Sequence, residues 1–301
     1  MPASTIIKTE AITLRVAPFS NTSHVVTWLT PEHGKIATAI KGACRPKSPV
    51  FGQYDIGYRC ELLFYSRDHN GLHIVKECTA LDARRLCRGD WQRTAAISYL
   101  CHLAAVATPD GAHAPELYSL LAACLGHIAP DSKLHFERPT SSKENPQLGR
   151  SALGVGCWAL KASPSTCLLP PPTYLPALLL WFELQMLTLL GLPPQLLQCT
   201  SCTQNVNTGG STLFSTTHGG ILCQACKPTV NRTLLLPISG DALAILRRWQ
   251  ATHDFQRLPT PRYTQQQQEQ IQPILASFMP HYLDLAPECC HIAYKMINTS
   301  L

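Results

Sequence analysis

The stretch Gly34-Lys35-Ile36-Ala37-Thr38-Ala39-Ile40-Lys41 reads as one β-strand, with Ile36, Thr38 and Ile40 on one face and Lys35, Ala37, Ala39 and Lys41 on the other. A period of two is what a pleated strand with one buried and one wetted face requires. The alternation recurs in Tyr54, Ile56, Tyr58, Cys60, Leu62 and Phe64, interleaved with Asp55, Arg59 and Glu61. Residues 6–16, 25–30 and 72–80 supply three more runs, punctuated at Pro31, Gly34, Gly52 and Asn70-Gly71. Five strands within residues 1–81 predict a small barrel of the OB type, although periodicity alone does not separate it from an SH3-like barrel.

From residue 82 the pattern turns helical. Asp90 is placed to cap a helix with apolar positions at Ala95, Tyr99, Leu103 and Val106 that stops before Pro109, and a second helix starts near Pro115-Glu116. Residues 129–174 are rich in Pro, Ser, Thr and Gly and read as an irregular insertion. A very apolar helix follows around 177–190, then a turn at 191–194, a cysteine-containing module, and two further helices near 241–249 and 264–283. The run Gln265 to Gln268 reads as the wet face of the last of these. The expected architecture is a multi-domain α+β chain. Its parts are an OB-type barrel (1–81), a helical domain (82–196, insertion 129–174), a four-cysteine zinc module (197–234) and C-terminal helices that complete the helical domain (235–301).

Composition sets the class of protein. With 301 residues, 45% of them hydrophobic, the chain can build a substantial core, and its net charge of +6 permits a polyanionic partner. The first ten residues lack the apolar run of a signal peptide, so export is not expected. The most apolar stretch, 177–192, contains Glu183 and is shorter than the ~20 residues that span a bilayer. Fourteen cysteines in a chain of this size without an export signal are read as reduced thiols, which implies a cytoplasmic protein with no membrane association.

The strongest chemical signal is Cys199-Thr-Ser-Cys202 and, 20 residues on, Cys223-Gln-Ala-Cys226. Two such pairs form knuckles whose four thiolates close a tetrahedral zinc shell, and four sulfurs leave no open position for substrate, so the zinc is expected to be structural. A thioredoxin-like use of one pair would need a βαβ surround, which the Gly, Ser and Thr loop between the pairs does not supply. A base deaminase would pair an H-x-E with P-C-x-x-C; His135-Phe-Glu137 spells the first half, but residue 198 is Gln. Gly154-Val-Gly156 mimics a dinucleotide fingerprint without a preceding strand or a following acid. With no P-loop, serine-nucleophile elbow or H-E-x-x-H in the sequence, no catalytic residues are assigned, and the chain is not expected to be an enzyme.

Basic residues gather in two places. Lys35, Lys41, Arg45 and Lys47 occur without an intervening acid, and Lys35 and Lys41 share strand parity with Ala37 and Ala39, leaving a low strip for a sugar-phosphate backbone. The second cluster is Arg84, Arg85, Arg88 and Arg93; the first three, with Arg15, extend the expected phosphate-binding set. Phe51 and Tyr65 can stack on bases, whereas Tyr54 and Tyr58 carry core parity.

These residues also carry a resemblance. The runs from Ala11-Ile-Thr-Leu-Arg15 to Pro18-Phe19-Ser20, Leu29-Thr30, Gly34-Lys35-Ile36 and Lys41-Gly42-Ala43-Cys44-Arg45 are similar to the opening barrel of the RecO family of bacterial DNA repair proteins. Trp181-Phe182-Glu183-Leu184, Gly191-Leu-Pro-Pro194 and the two cysteine pairs, with Phe214-Ser215 and Gly219-Gly220 between them, resemble that family's buried helix and zinc module. Thr203 departs from it where Gly often follows the second cysteine, and Cys44 occupies a position often small or basic. The resemblance implies binding to single- and double-stranded DNA and annealing of complementary strands. It further implies cooperation with RecR in loading the recombinase RecA onto DNA coated by single-strand binding protein, whose acidic tail the helical domain would receive. Two readings of other classes stand beside it: a zinc-dependent enzyme acting on nucleic acid, and a protein-only scaffold.

Overall fold

The computed structural model describes residues 5–67, 72–129, 174–207, 209, 212–226, 235–253 and 264–298. Most of the expected 129–174 insertion, with the His135 and Gly154 motifs, lies outside the described residues.

Strands β1 (Ile6–Ser20), β2 (Ser23–Thr30), β3 (Gly34–Ile40), β4 (Arg59–Tyr65) and β5 (Leu72–Asp82) close into a barrel in the order β1-β2-β3-β5-β4. Neighbours are antiparallel except β3 and β5, which run parallel. That order decides for the OB-type barrel over the SH3-like one. Trp28, Ile36, Ile40, Cys60, Leu62 and Phe64 fill the interior, where the Trp28 indole donates to Thr38 Oγ1 at 2.8 Å. The outer face of β1 and β2 is also covered, because Ile12, Leu14 and Leu29 join the core of the helices. β1 is therefore buried on both sides from Ala11 to Leu14.

One expected strand begins late. Residues 54–58 keep the alternation of β4 but lie outside it, folded into a turn in which Tyr58 N–H donates to Asp55 O at 3.0 Å. Gly57 has φ +80°, and a Cβ there would meet Ile97 Cγ2 at 2.3 Å, so this turn of the barrel lies directly against the helices that follow.

Among the described residues six helices follow: α1 (Trp91–Ala107), α2 (Pro115–Ile128), α3 (Leu175–Leu189), α4 (Gly240–Ala251), α5 (Gln265–Tyr282) and α6 (Pro287–Asn298). The Asp90 carboxylate caps α1 as expected, accepting from Arg93 N–H at 3.0 Å. α3 is buried all round because it is central, packing on α1, α2, α4, α5 and α6 with every side chain from Leu175 to Leu187 enclosed, Glu183 and Gln185 among them. Within it Gln185 donates to Trp249 O at 2.7 Å and Trp181 to Thr252 O at 3.0 Å, tying the end of α4 to the central helix. Among the described residues no helix is long and apolar enough to cross a membrane.

The module between α3 and α4 holds a small antiparallel sheet of β6 (Thr212–Ser215), β7 (Gly220–Leu222) and β8 (Leu235–Ile238), ordered β7-β6-β8. It does not stand apart: Phe214, Ile221 and Ile238 belong to the helical core, and Phe214 meets Phe278 of α5 edge to face at 5.9 Å.

Candidate metal centre and basic barrel surface

The first knuckle is built by the chain between α3 and β6. Cys199 N–H donates to Gln204 O and Thr203 N–H to Cys199 O, both at 2.8 Å, which turns the backbone back on itself. Cys223 and Cys226 form the second knuckle at the end of β7, closed by Cys226 N–H to Cys223 O at 3.2 Å. Thr200 N–H donates to Ile221 O at 3.0 Å and sets the knuckles face to face. The four sulfurs all lie within 4.8 Å of one another, with Cys202 and Cys223 at 3.6 Å. Zinc bound tetrahedrally at about 2.3 Å per sulfur sets neighbouring sulfurs about 3.8 Å apart, so these residues fit a metal ion with little movement. Burial raises the Cys199 thiol, but the N–H groups of Cys223, Cys202 and Ser201 outweigh it and bring it down to about 6. A thiolate is the form that ligates metal.

Arg247 of α4 fastens the first knuckle, giving Nε to Leu196 O at 2.7 Å and Nη2 to Val206 O at 2.6 Å. The sequence reading missed it, because its acceptors are backbone carbonyls some fifty and forty residues away.

Thr203 shows why glycine suits its position. Its φ is +61°, a left-handed conformation that costs a β-branched residue roughly 1–2 kcal/mol. Thr203→Gly is accordingly expected to stabilise the knuckle by about 1 kcal/mol. The measurement is the rate at which the bound metal passes to a chelator, which should fall; an unchanged or faster rate would contradict it.

The expected cations divide between surface and interior. Lys41, Arg45 and Lys47 are exposed on the loop joining β3 to β4, a chain of turns closed by Arg45 N–H to Gly42 O, Ser48 N–H to Arg45 O and Phe51 N–H to Ser48 O. None of the three makes an ion pair among the described residues, and Phe51 on the same loop is 62% exposed. Arg15 is exposed on β1 and Arg85 on the 3-10 turn Arg85–Cys87. Arg88 is exposed too, and its guanidinium lies over the Tyr58 ring at 5.6 Å and donates to the Tyr58 hydroxyl.

Two expected phosphate ligands face inward, which corrects the sequence reading for them. Lys35 is directed at the helices, where Nζ donates to Ala105 O at 2.8 Å and pairs with Asp110 at 3.1 Å. It thereby satisfies a carbonyl of the last turn of α1 with a positive charge, the sign that helix end favours. Arg84 is 7% exposed, pairs with Asp82 at 3.2 Å and donates to Gly57 O, Leu125 O and Ala129 O. With buried Arg93, which reaches Ile128 O at 2.7 Å, it caps the carboxyl end of α2. Of the aromatic residues, Tyr58 is buried and Tyr54 and Tyr65 are half-buried.

The family described as recombination protein O, N terminal, matches residues 3–84, and its C-terminal counterpart matches residues 88–138 and 169–288. The chain belongs to the RecO family. The C-terminal match brackets most of the 129–174 insertion, and the N-terminal one covers the barrel. Among relatives, the DNA repair protein RecO of Bacillus pumilus is 25% identical over 93% of this chain and 90% of its own length. Those of Anaeromyxobacter dehalogenans and Rhodopirellula baltica are 28% and 26% identical, over 81% and 79% of this chain and 79% and 72% of their own lengths.

Proposed function

We propose that this RecO-family chain acts in DNA repair and recombination as a non-catalytic mediator that binds single- and double-stranded DNA and anneals complementary strands. The observation that carries the reading is the β3–β4 loop, where Lys41, Arg45 and Lys47 stand exposed, without ion pairs among the described residues, on the same loop as exposed Phe51. Cations free of acidic partners can exchange counterions for phosphates, and an exposed ring can stack on a base without regard to its identity. Base pairing supplies the driving force for annealing, so the protein needs only to lower the repulsion between two backbones. Arg15, Arg85 and Arg88 extend the proposed surface; Lys35 and Arg84 are left out of it.

The cysteine cluster is proposed to hold structural zinc, since four sulfurs satisfy a tetrahedral ion and leave no site for a substrate. For partners, the reading takes RecR, the acidic tail of single-strand binding protein and, through them, RecA, in the cytoplasm at the nucleoid. An apolar groove of about 590 Å³ between α1 and α6, lined by Trp91, Ile292 and Met296 with Arg88 at its rim, has the chemistry for a tail that is apolar and acidic.

Filter binding to single-stranded DNA at several salt concentrations tests the surface. Removing the charges of Lys41, Arg45 and Lys47 together is expected to weaken binding and to flatten the slope of log affinity against log salt by about 0.7 per contact, about 2 in all. Lys35→Ala should leave that slope unchanged while lowering stability. The triple variant should also fail to accelerate annealing of complementary strands, an acceleration expected without nucleotide; wild-type slope and annealing in that variant would refute the surface.

A further inference from the structure

Cys44 is exposed, on the same loop as the three cations, and it is not alone. His24 of β2 places Nε2 3.2 Å from Cys44 Sγ and Nδ1 2.8 Å from the Tyr54 hydroxyl, with the two rings edge to face at 6.0 Å. The three residues come from β2 and from the start and end of the β3–β4 loop. Cys44 N–H donates to Thr22 O at 3.1 Å and Gly42 N–H to Ser23 Oγ at 3.3 Å, so the loop is tied down and the thiol is held at the imidazole. A nucleophile, a base in contact with it and a third group orienting that base are the parts of an activated thiol. Exposure and the nearby cations complete the environment in which cysteines react.

We propose that Cys44 is a thiol–disulfide exchange site, with His24 as its base and Tyr54 as the positioning residue. It accepts half of a small disulfide of the glutathione class, and the adduct then obstructs the phosphate surface formed by Lys41, Arg45 and Lys47. The second clause rests on the nucleic-acid reading above; the first does not. In the exchange, His24 Nε2 takes the thiol proton and the Cys44 sulfur attacks one sulfur of the disulfide. The new S–S bond forms as the old one breaks, and the leaving thiolate takes the proton from the imidazolium. One thiol and one disulfide become one mixed disulfide and one thiol, with no net oxidation. The tautomer this needs has the proton on Nδ1, donated to the Tyr54 oxygen. Tyr54 is held as a neutral phenol over the whole working range, because burial, with Cys44 and Cys78 adding to it, pushes it up to about 12.

Other thiols provide an internal comparison. Cys60, Cys78, Cys87, Cys101, Cys124 and Cys290 are buried, four more form the metal cluster, and Cys289 is partly exposed on α6 with no histidine hydrogen bond among the described residues. The experiment treats the full zinc-loaded chain with glutathione disulfide and follows each cysteine by peptide mass spectrometry. With a base in contact with its sulfur, Cys44 is expected to react about tenfold faster than Cys289. His24→Gln should remove that advantage and leave Cys289 unchanged, and Tyr54→Phe should remove part of it. Both deficits should vanish near pH 10, where thiols ionise without a base. Equal rates at Cys44 and Cys289, a His24→Gln variant with the wild-type Cys44 rate, or a deficit that persists at high pH would overturn the exchange site. Adduct formation should then lower affinity for single-stranded DNA in the wild type and not in Cys44→Ser. If the adduct binds DNA as well as the free protein, the regulatory clause fails; if the free protein binds no DNA, the nucleic-acid reading fails and the exchange chemistry stands.

Discussion

A Cys199→Ser variant is expected to carry no zinc and to lose the ordered structure of residues 196–206 and 223–226, while the barrel keeps its fold. Structural zinc contributes on the order of 10–16 kcal/mol of apparent binding free energy in small modules. That is more than the knuckles can replace, since their turns rest on a few backbone hydrogen bonds and one sulfur, Cys199, is the only one of the four that is fully buried. The loss stops at the sheet because Phe214, Ile221 and Ile238 are anchored in the helical core, independently of the metal. Elemental analysis of protein purified without air should give one zinc per wild-type chain and none per variant, and limited proteolysis should cut the variant between the knuckles. A variant that retained its zinc, or cleavage that began in the barrel, would show that the four sulfurs do not act as one structural link.

The cysteine module was legible because its chemistry is local: two short spacers fix the knuckles, and the interval lets them meet. Alternation revealed the barrel for the same reason, since a strand's period is written in consecutive residues. It misplaced the start of β4 because residues 54–58 preserve the parity of a strand while Gly57 turns the chain with φ +80°. It also placed Lys35 on a wet face, which is right for an isolated barrel and wrong where the carboxyl end of α1 covers it. Arg84 was unreadable for a related cause, because two of its acceptors are the carbonyls of Leu125 and Ala129 at the end of α2, which only the tertiary fold brings to it. α6 did carry a signal in Cys290, Ala293, Tyr294 and Ile297 at helical spacing, and the reading stopped short of it at residue 283. The Cys44–His24 contact left none, being 20 residues apart across two elements.

Raising the pH from about 5 to about 8 is expected to destabilise the wild-type chain relative to Glu183→Gln by about 3 kcal/mol. Glu183 lies on the central helix α3 with no exposed surface, and Oε1 accepts from Tyr99 of α1 at 2.7 Å and from Tyr294 of α6 at 3.0 Å. Its other oxygen, Oε2, has no hydrogen-bond partner among the described residues. Burial lifts the carboxyl to about 7 from an ordinary 4.5, against the lowering effect of the two tyrosine hydroxyls. The sign follows from which state holds the proton. Between about 4.5 and 7 the folded chain binds a proton that the unfolded chain has released, so stability is full below that window and is lost as pH rises through it. Glutamine keeps the acceptor for both tyrosines and has no charge to bury, so it should abolish this part of the slope and be the more stable form at pH 8. Urea unfolding of both proteins across the window measures the difference, and parallel curves would mean that Glu183 does not change ionisation there. Because its partners stand on α1 and α6, ionisation of the carboxyl that links three helices loosens them as pH rises through about 7, at the walls of the same groove proposed to receive the acidic tail.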